Sequence, residues 1–496
     1  MSKTSDLPFW LRPPGLVVVV GLLTALKLFA AANAYIVEDE AYYRIWGLYP
    51  ALSYYDHPPM IGWWITLGQA VFGDTVFGLR ALVVFSGVIG SLALWRTATI
   101  LFDARTAGWA VLFLNTSLMI GIGGILATPD APSVVFWGLT FWALAELTVS
   151  KNPNWWLVVG LMAGLGLLSK YSLLFLGAGI LLWLVWVPDA RRWWMTWQLW
   201  AGGALALLCF SPVLYWNHLH EWVSFYKQFG RAGSSGFTAK YIFEFLGAFV
   251  GLLNPLIALL AAGGAVILYK AFRARDGAAS LVLLTTLPFL AYLCYHALHS
   301  RVQANWPAPL FPAFAIMAAV FVVSLKGQKE IWRKVAVAGV AVGVLVAVVV
   351  QFHAVYPVTG QLARKDPTFQ LRGWQEIGDA LAELADREQA AFLLTSSYGL
   401  NGQADYLMKD RLPVFQTTER IRYIMMPATD ETLFRKPGLY ITEKRRNKAG
   451  DLERAFDTVE ELAVLERKVK GVPLEKLVVY RVEGLKGPVF EPLSVQ

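Results

Sequence analysis

The sequence predicts a polytopic α-helical membrane protein with a small α/β domain at its C-terminal end. The chain of 496 residues is 56% hydrophobic and only 16% charged, and its mean hydropathy is +0.49. Apolar runs of about 20 residues, the length of a helix that crosses a bilayer, recur along its first three quarters. After about residue 357 the apolar segments become shorter and alternate with charged residues. This composition excludes an intrinsically disordered chain.

Hydropathy predicts about eleven membrane helices. Their expected bounds are 15–35, 79–101, 107–127, 131–150, 155–170, 172–188, 197–216, 241–263, 279–298, 305–325 and 335–356. Lys3 and Arg12 precede the first span, but no small-residue cleavage site precedes the first outer loop. We therefore interpret this span as a retained helix and not as a signal peptide.

The distribution of lysine and arginine residues sets the expected orientation. With the N-terminus in the cytoplasm, the cytoplasmic connections hold most of the basic residues of the membrane part, as the positive-inside rule requires. The loop 36–78 and the C-terminal domain then face the periplasm. Much of the net charge of +8 is this topology signal, so we expect no nucleic-acid partner. Cys209 and Cys294 lie in predicted spans and indicate no disulfide framework.

Two domains are expected, a transmembrane domain over 1–356 and a periplasmic α/β domain over 357–496. In the second, WQEIGDALAELADRE has the 3.6-residue period of an amphipathic helix. Four segments have the composition of short strands: AAFLLTSSY, LPVFQTT, PGLYITEKR and EKLVVYRVEG. A helix over GQADYLMKD is predicted between the first two strands.

The first outer loop, 36–78, is predicted to contain two amphipathic helices at the membrane interface. Its first helix begins with EDEAYY, and the motif DHPP follows at 56–59. Charge–dipole attraction at a helix N-terminus explains one or two of the three carboxylates. It explains less well the tyrosine pair that ends in Tyr43 and the second acidic motif with Asp56 and His57. We therefore expect a catalytic or ligand-binding role for Asp39.

Other outward polar residues stand at predicted helix ends. Asp130 is either the N-cap of the fourth span or a residue that lines a site. Lys170 and Tyr171 lie in a connection too short to be a solvated loop. Lys170 either has a functional role or extends its ammonium group to the membrane interface. Arg301 and Asn305 belong to the segment HSRVQANWPAP in another outer loop.

The loop 217–240 ends in a Gly/Ser-rich stretch typical of a flexible lid over a site. Its cations Lys227 and Arg231 are expected to reach either an anion or lipid headgroups. A carboxylate that takes a proton, with cations that hold a phosphate leaving group, fits displacement at a glycosyl phosphate. The sequence has no P-loop, no GxGxxG before a strand and no HExxH motif, so ATP and nicotinamide chemistry are unsupported.

Five motifs follow one another along the chain: the pair Asp39 and Glu40 after the first helix, DHPP at 56–59, TPDAP at 128–132, SKY at 169–171 and SRVQANWPAP at 300–309. In this order they resemble the motifs of bacterial glycosyltransferase family 39, whose members have the GT-C fold. The family includes protein O-mannosyltransferases and the lipid A aminoarabinose transferase. The resemblance runs through most of residues 15–325, and lipopolysaccharide and lipid A glycosyltransferases look closest.

The resemblance implies inverting transfer of a sugar from a polyprenyl-phosphate carrier on the outer face. Asp39 matches the acidic residue proposed as general base, and Glu40 matches its neighbour. Asp130 and Lys170 match positions near the family's cavity. The segment 56–58 matches a Glu-Lys-Pro of the aminoarabinose transferase, which contacts a metal ion and the donor phosphate.

Two departures from the family leave metal dependence open. His57 stands where the aminoarabinose transferase has lysine, so a permanent cation is replaced by a titratable one. The loop reads GRAGSSGF at 230–237, where that relative has a His-rich segment that helps to bind a divalent ion. A divalent metal ion is therefore a possible cofactor, with Asp56 and His57 as its candidate ligands.

We expect an enzyme of the bacterial inner membrane whose active site faces the periplasm. Its expected donor is a polyprenyl-phosphate-linked sugar, and its expected acceptor is a lipid or glycolipid, either lipid A or the lipopolysaccharide core. Protein O-mannosylation and transport of a lipid-linked sugar are the alternatives; discontinuous helices and inverted repeats would favour transport. Asp39 is expected to deprotonate the acceptor, beside Glu40. The expected binding residues are Tyr43, Asp56, His57, Asp130, Lys170, Tyr171, Lys227, Arg231, Arg301 and Asn305.

Overall fold

The computed structural model describes residues 7–230, 236–325 and 330–493. The first helices in chain order are α1 (Pro13–Asn33), α2 (Glu38–Leu48), α3 (Met60–Phe72), α4 (Val76–Leu101), α5 (Ala104–Thr116), α6 (Leu118–Gly123), α7 (Asp130–Ser150), α8 (Trp155–Leu167) and α9 (Leu173–Trp186). They are followed by α10 (Trp197–Leu219), α11 (Val223–Phe229), α12 (Lys240–Leu253), α13 (Pro255–Arg273), α14 (Gly277–Ala297), α15 (Phe311–Ser324), α16 (Glu330–Val355), α17 (Trp374–Arg387), α18 (Tyr398–Met408) and α19 (Ala449–Leu452).

Seven helices of the described residues are long and apolar enough to cross a membrane, namely α1, α4, α7, α10, α13, α14 and α16. An eighth span is obtained if α9 is joined to the 3-10 helix Pro188–Met195, to which it is bent by 107°. The chain is thus a multi-span membrane protein. All eleven predicted segments contain helical residues, but their number stays a prediction because two of them correspond to α8 and the helical residues Ala308–Ser324, which are shorter.

The predicted span over 241–263 is wrong, because the helix breaks at Asn254. This residue has φ +79°, and its side chain accepts a hydrogen bond from the amide of Leu256 at 3.1 Å. Pro255 follows and has no N–H with which to continue the preceding helix. The chain therefore ends α12 at Leu253 and starts α13 at Pro255.

Contacts divide the chain into two compact units. The first contains the described residues of Met1–Ala31, Asp56–Ile61 and Arg80–Gln351. The second contains Ala32–Tyr55, Gly62–Leu79 and the described residues of Phe352–Gln496. The two helices predicted in the first outer loop are confirmed as α2 and α3, and most of their residues belong to the second unit.

The sheet of the second unit has the strand order β2-β1-β3-β5-β4. The strands are β1 (Leu393–Thr395), β2 (Val414–Gln416), β3 (Gly438–Glu443), β4 (Phe456–Val469) and β5 (Val472–Leu485). β1 pairs in parallel with β2 and β3, whereas β5 is antiparallel to β3 and β4. The small C-terminal α/β fold, the amphipathic helix (α17) and the four predicted strands are confirmed. β4 was not predicted.

Both faces of this sheet are covered by apolar side chains. Leu393, Leu439 and Leu477 belong to a core with Trp374 and other residues of α17. The residues next to them in the strands, Leu394, Tyr440 and Val478, belong to a second core with Phe392, Phe434 and Phe456. This alternation is the period of two expected for a strand buried on both faces.

Candidate active site

The acidic motif forms the first turn of α2, and its three carboxylates differ in their surroundings. Val37 precedes the helix in an extended conformation, and its backbone N–H donates to Glu40 Oε2 at 3.1 Å. Glu40 is fully buried, so part of its role is to cap the helix N-terminus. Burial raises the pKa of Glu38, against the charge of Arg467. Asp39 is the exposed member, which is what a base that meets a substrate requires.

Asp39 has a partner that the sequence did not indicate. The hydroxyl of Tyr398, the first residue of α18, donates to Asp39 Oδ1 at 3.2 Å. Burial, followed by the charge of Asp39, raises the pKa of Tyr398, so the phenol keeps its proton at neutral pH. No local pattern marks this tyrosine, because its partner lies 359 residues earlier in the chain.

Two glycines allow α18 to approach the backbone of α2. A Cβ added to Gly402 would lie 2.7 Å from the carbonyl carbon of Ala41 and 2.7 Å from the amide nitrogen of Tyr42. A Cβ added to Gly399 would lie 2.9 Å from Glu38 Oε2. Since real contacts of a Cβ are longer than this, a larger residue at Gly402 would separate the helices, whereas one at Gly399 would displace the carboxylate of Glu38. The spacing of these glycines is the one weak sequence signal for the contact.

Polar contacts fix both ends of the same helix pair. The side chain of Gln403 donates to the carbonyl of Ile36 at 3.1 Å, just before α2 begins. Near the other end, Arg44 bonds Asp405 at 2.6 Å and Asp74 through two hydrogen bonds, one of them of 2.7 Å. The side chain of Arg44 is 3% exposed, so its charge is compensated where water is scarce. Burial acts against the charged form of Asp74, but Arg44 outweighs it and lowers the pKa of Asp74.

Tyr43, a predicted binding residue, lies among aromatic side chains. Its ring centroid is 4.7 Å from that of Trp46, edge to face, and the residue is buried. Trp46 in turn stacks on Tyr54 at 4.1 Å, whose hydroxyl donates to the carbonyl of Trp46 at 2.9 Å. These contacts account for Tyr43 as a packing residue, and its role in binding stays a prediction.

In the first unit, three predicted site residues come together at Asp130. Lys170 Nζ lies 2.6 Å from Asp130 Oδ1, and Asn305 Nδ2 lies 2.6 Å from Asp130 Oδ2. The side chains of Asp130 and Lys170 are 8% and 13% exposed. We call Asp130, Lys170 and Asn305 the Asp130 cluster. It joins the start of α7 to the connections after α8 and before α15. The role of these residues in binding stays a prediction.

A second contact joins the DHPP motif to α11. Lys227 Nζ lies 3.8 Å from Asp56 Oδ1, and the side chain of the next residue, Gln228, donates to the carbonyl of Asp56. His57, the residue that follows Asp56 in the chain, is half-buried. The structure therefore brings Asp56 and Lys227 together, as an acidic residue and a cation of the predicted site.

The remaining candidates have other partners. Tyr171 shares a 2.8 Å hydrogen bond with Ser224 Oγ and contacts the ring of Phe225, with centroids 5.3 Å apart. Arg301 pairs with Glu244 at 2.9 Å, and the two side chains are 64% and 36% exposed. Solvent screens such an exposed pair. Arg231 lies outside the described residues.

The donor set at Asp56 and His57 does not fit a divalent ion held by the protein. No group of three or more His, Cys, Asp or Glu side chains converges within the part of the chain that the structure describes. The ammonium of Lys227 also lies 3.8 Å from Asp56 Oδ1, and its charge opposes a cation there.

Comparison with known proteins identifies sugar transferases. A family model described as dolichyl-phosphate-mannose-protein mannosyltransferase matches residues 56–216. The lipid A galacturonosyltransferase RgtD of Rhizobium johnstonii is 25% identical over 404 residues, which cover 80% of this chain and 83% of that protein. The undecaprenyl phosphate-α-4-amino-4-deoxy-L-arabinose arabinosyl transferase of Erwinia tasmaniensis is 27% identical over 327 residues. These cover 60% of this chain but only 55% of the relative.

The fold agrees with a solved structure along nearly the whole chain. The crystal structure of ArnT from Cupriavidus metallidurans, bound to undecaprenyl phosphate, superposes with a TM-score of 0.64 and 15% sequence identity. The match covers 97% of this chain and 100% of that one. This likeness establishes the fold, and the curated relatives are named as transferases. The chain is thus a membrane glycosyltransferase that is similar to these relatives and shares the fold of ArnT.

Proposed function

We propose that this enzyme transfers a sugar from a polyprenyl-phosphate-linked donor to lipid A or the lipopolysaccharide core, at the periplasmic face of the inner membrane. The observation that carries this proposal is the similarity to a lipid A galacturonosyltransferase along 80% of the chain. The fold shared with a transferase bound to undecaprenyl phosphate supports the class of donor.

The reaction is a displacement at the anomeric carbon. An oxygen of the acceptor hydroxyl bonds to that carbon, while the bond from the carbon to the phosphate oxygen breaks on the opposite side, so that the configuration inverts. The hydroxyl proton passes to a general base, and the products are the glycoside and polyprenyl phosphate. We assign the base to Asp39, because it is exposed at the head of α2 and has a fixed hydrogen-bond donor in Tyr398.

Negative charge develops on the leaving phosphate, so the reaction also needs cations. Lys170, Arg301 and His57 are the proposed contacts. An ammonium group has three donors, and Asp130 takes one from Lys170. Asp130 also holds the lysine in one position, which favours a preorganised contact over a mobile one.

Purified protein in nanodiscs provides the test. Undecaprenyl-phosphate-linked galacturonic acid or 4-amino-4-deoxy-L-arabinose serves as donor and lipid A as acceptor, and mass spectrometry follows both products. We expect glycosylated lipid A and polyprenyl phosphate in equal amounts. Movement of intact donor across the bilayer without release of polyprenyl phosphate would instead indicate transport and refute the proposal.

Protein O-mannosylation is the second candidate, because the matching family model is described as a protein mannosyltransferase. The same nanodiscs are supplied with a polyprenyl-phosphate-linked mannose and a Ser/Thr-rich peptide. Transfer to the peptide, together with no transfer to lipid A from either of the other donors, would favour this candidate.

A further inference from the structure

Tyr398 is held in place by its ring as well as by its hydroxyl. The guanidinium carbon of Arg422 lies 4.8 Å from the ring centroid of Tyr398, within the range of a cation–π contact. Arg422 is itself bound by Glu419, with Nε 2.8 Å from Oε2. The ring of Tyr42, on α2, packs edge-on against Tyr398 with centroids 5.3 Å apart. The tyrosine therefore has little freedom to leave Asp39.

The backbone adds a second constraint. Gly402 lets α18 contact the backbone of α2, and Gln403 ties α18 to Ile36 just before the acidic turn. The distance from the Tyr398 hydroxyl to Asp39 is thus set by the packing of two helices and not by one flexible side chain. A hydrogen bond from a neutral donor to a carboxylate orients it and stabilises its charged form.

We propose that Tyr398 is a positioning residue for the general base Asp39, so that the C-terminal residues complete the catalytic helix α2. This inference rests on the proposed function, in which Asp39 accepts the proton of the acceptor hydroxyl. Tyr398 keeps the carboxylate in one orientation and in the form that accepts a proton. The charged groups around the pair are Glu38 and Glu40 on α2 and Arg422 from the C-terminal residues.

The first experiment replaces Tyr398 by phenylalanine in the full-length protein in nanodiscs, with the donors and lipid A named above. Loss of a hydrogen bond to a charged group predicts a fall in kcat of roughly ten- to a hundredfold, with little change in the KM for the donor. Activity should also begin to fall at a higher pH on the acid side, because the carboxylate loses a group that stabilises its charge.

The matched control is Tyr480→Phe. The Tyr480 hydroxyl also faces a carboxylate, Glu461 Oε2 at 3.4 Å, and accepts from Asn447 at 2.5 Å. It lies in the same unit, on β5, and its hydroxyl bonds Glu461 and Asn447. We expect wild-type kinetics and a wild-type pH profile from this variant.

A second pair of variants tests the helix contact without touching the hydroxyl. Gly402→Ala adds a Cβ against the backbone of α2, whereas Gly450→Ala adds one where no atom lies within 4 Å. Gly402→Ala should show the same loss of kcat and the same shift of the acid limb as Tyr398→Phe. Gly450→Ala should match the wild type, and melting curves show whether either variant has lost its fold.

The outcomes distinguish a failure of the proposed function from a failure of the positioning role of Tyr398. If the wild type transfers no sugar from either donor, the proposed function fails and this inference fails with it. If the wild type is active, Asp39→Asn is inactive and Tyr398→Phe matches the wild type at every pH, the proposed function stands and the positioning role is refuted.

Discussion

Replacement of Lys170 by alanine separates a structural role of the Asp130 cluster from a catalytic one. The change removes an ammonium that lies 2.6 Å from Asp130 Oδ1 and leaves the carboxylate with its bond from Asn305. Both side chains of the ion pair are largely buried, at 13% and 8% exposure. Asp130 therefore becomes a carboxylate that is poorly solvated and has lost its counter-charge.

The expected cost follows from these two facts. Removal of one partner from a buried ion pair destabilises a protein by about 3–5 kcal/mol, and we expect the lower end because Lys170 retains some contact with solvent. The double variant Asp130→Asn with Lys170→Met removes both charges, so it should recover most of this loss. Arg301→Ala is the matched control, because its pair with Glu244 is exposed and contributes at most about 1 kcal/mol.

Equilibrium unfolding in mixed micelles, followed by tryptophan fluorescence, measures these free energies, and transfer assays on the same preparations measure turnover. A Lys170→Ala variant no less stable than Arg301→Ala would refute the argument from burial. If the lysine also binds the phosphate, the stable double variant still has a KM for the donor raised roughly ten- to a hundredfold. Wild-type kinetics in the double variant would limit Lys170 to a structural role.

Three further predictions test other residues of the site. Asp39→Asn should abolish transfer and leave binding of the donor intact, and turnover at the wild-type rate would exclude Asp39 as the base. If His57 acts as a cation, His57→Lys should keep activity, and its activity should decline less at high pH. If His57 is instead a metal ligand, His57→Lys should be inactive, and the wild type should lose activity on chelation and regain it with a divalent ion. Asp74, whose pKa is lowered in the folded protein, should contribute stability that is present above the unfolded pKa of about 3.8 and lost as the pH falls through the lower folded value. Melting temperatures between pH 5 and about pH 2.5 should then fall more steeply in the wild type than in Asp74→Asn; parallel curves would contradict this.

Features that depend on local pattern were predictable from the sequence. The loop helices α2 and α3 and the amphipathic α17 follow from apolar periodicity. The contacts of Asp130 with Lys170 and Asn305 join residues 40 and 175 positions apart, so periodicity does not reveal them. The break at Asn254 was signalled by Asn-Pro, but hydropathy averages over such a pair. The apolar run 241–263 was therefore predicted as one span, whereas the structure has the two helices α12 and α13 there.

Two other features were missed for physical reasons. β4 is an edge strand whose outward residues are mostly charged, FDTVEELAVLERKV, so it lacks the apolar alternation of a half-buried strand. The contact between Asp39 and Tyr398 joins residues 359 positions apart. Neither residue has a neighbour that reveals the other, since only tertiary packing of α2 on α18 determines the pair.

That separation along the chain has a consequence for biosynthesis. A ribosome adds about 5–20 residues per second, so the 359 residues between Asp39 and Tyr398 delay the arrival of α18 by roughly 20–70 s. During that interval Arg44 has Asp74 within reach but lacks Asp405, and the acidic turn lacks Gln403 and Tyr398. The helix that carries the proposed base, Asp39, is therefore completed late in synthesis. A nascent or truncated chain that already spans the membrane should be catalytically silent, which protects lipid-linked sugar from an incomplete active site.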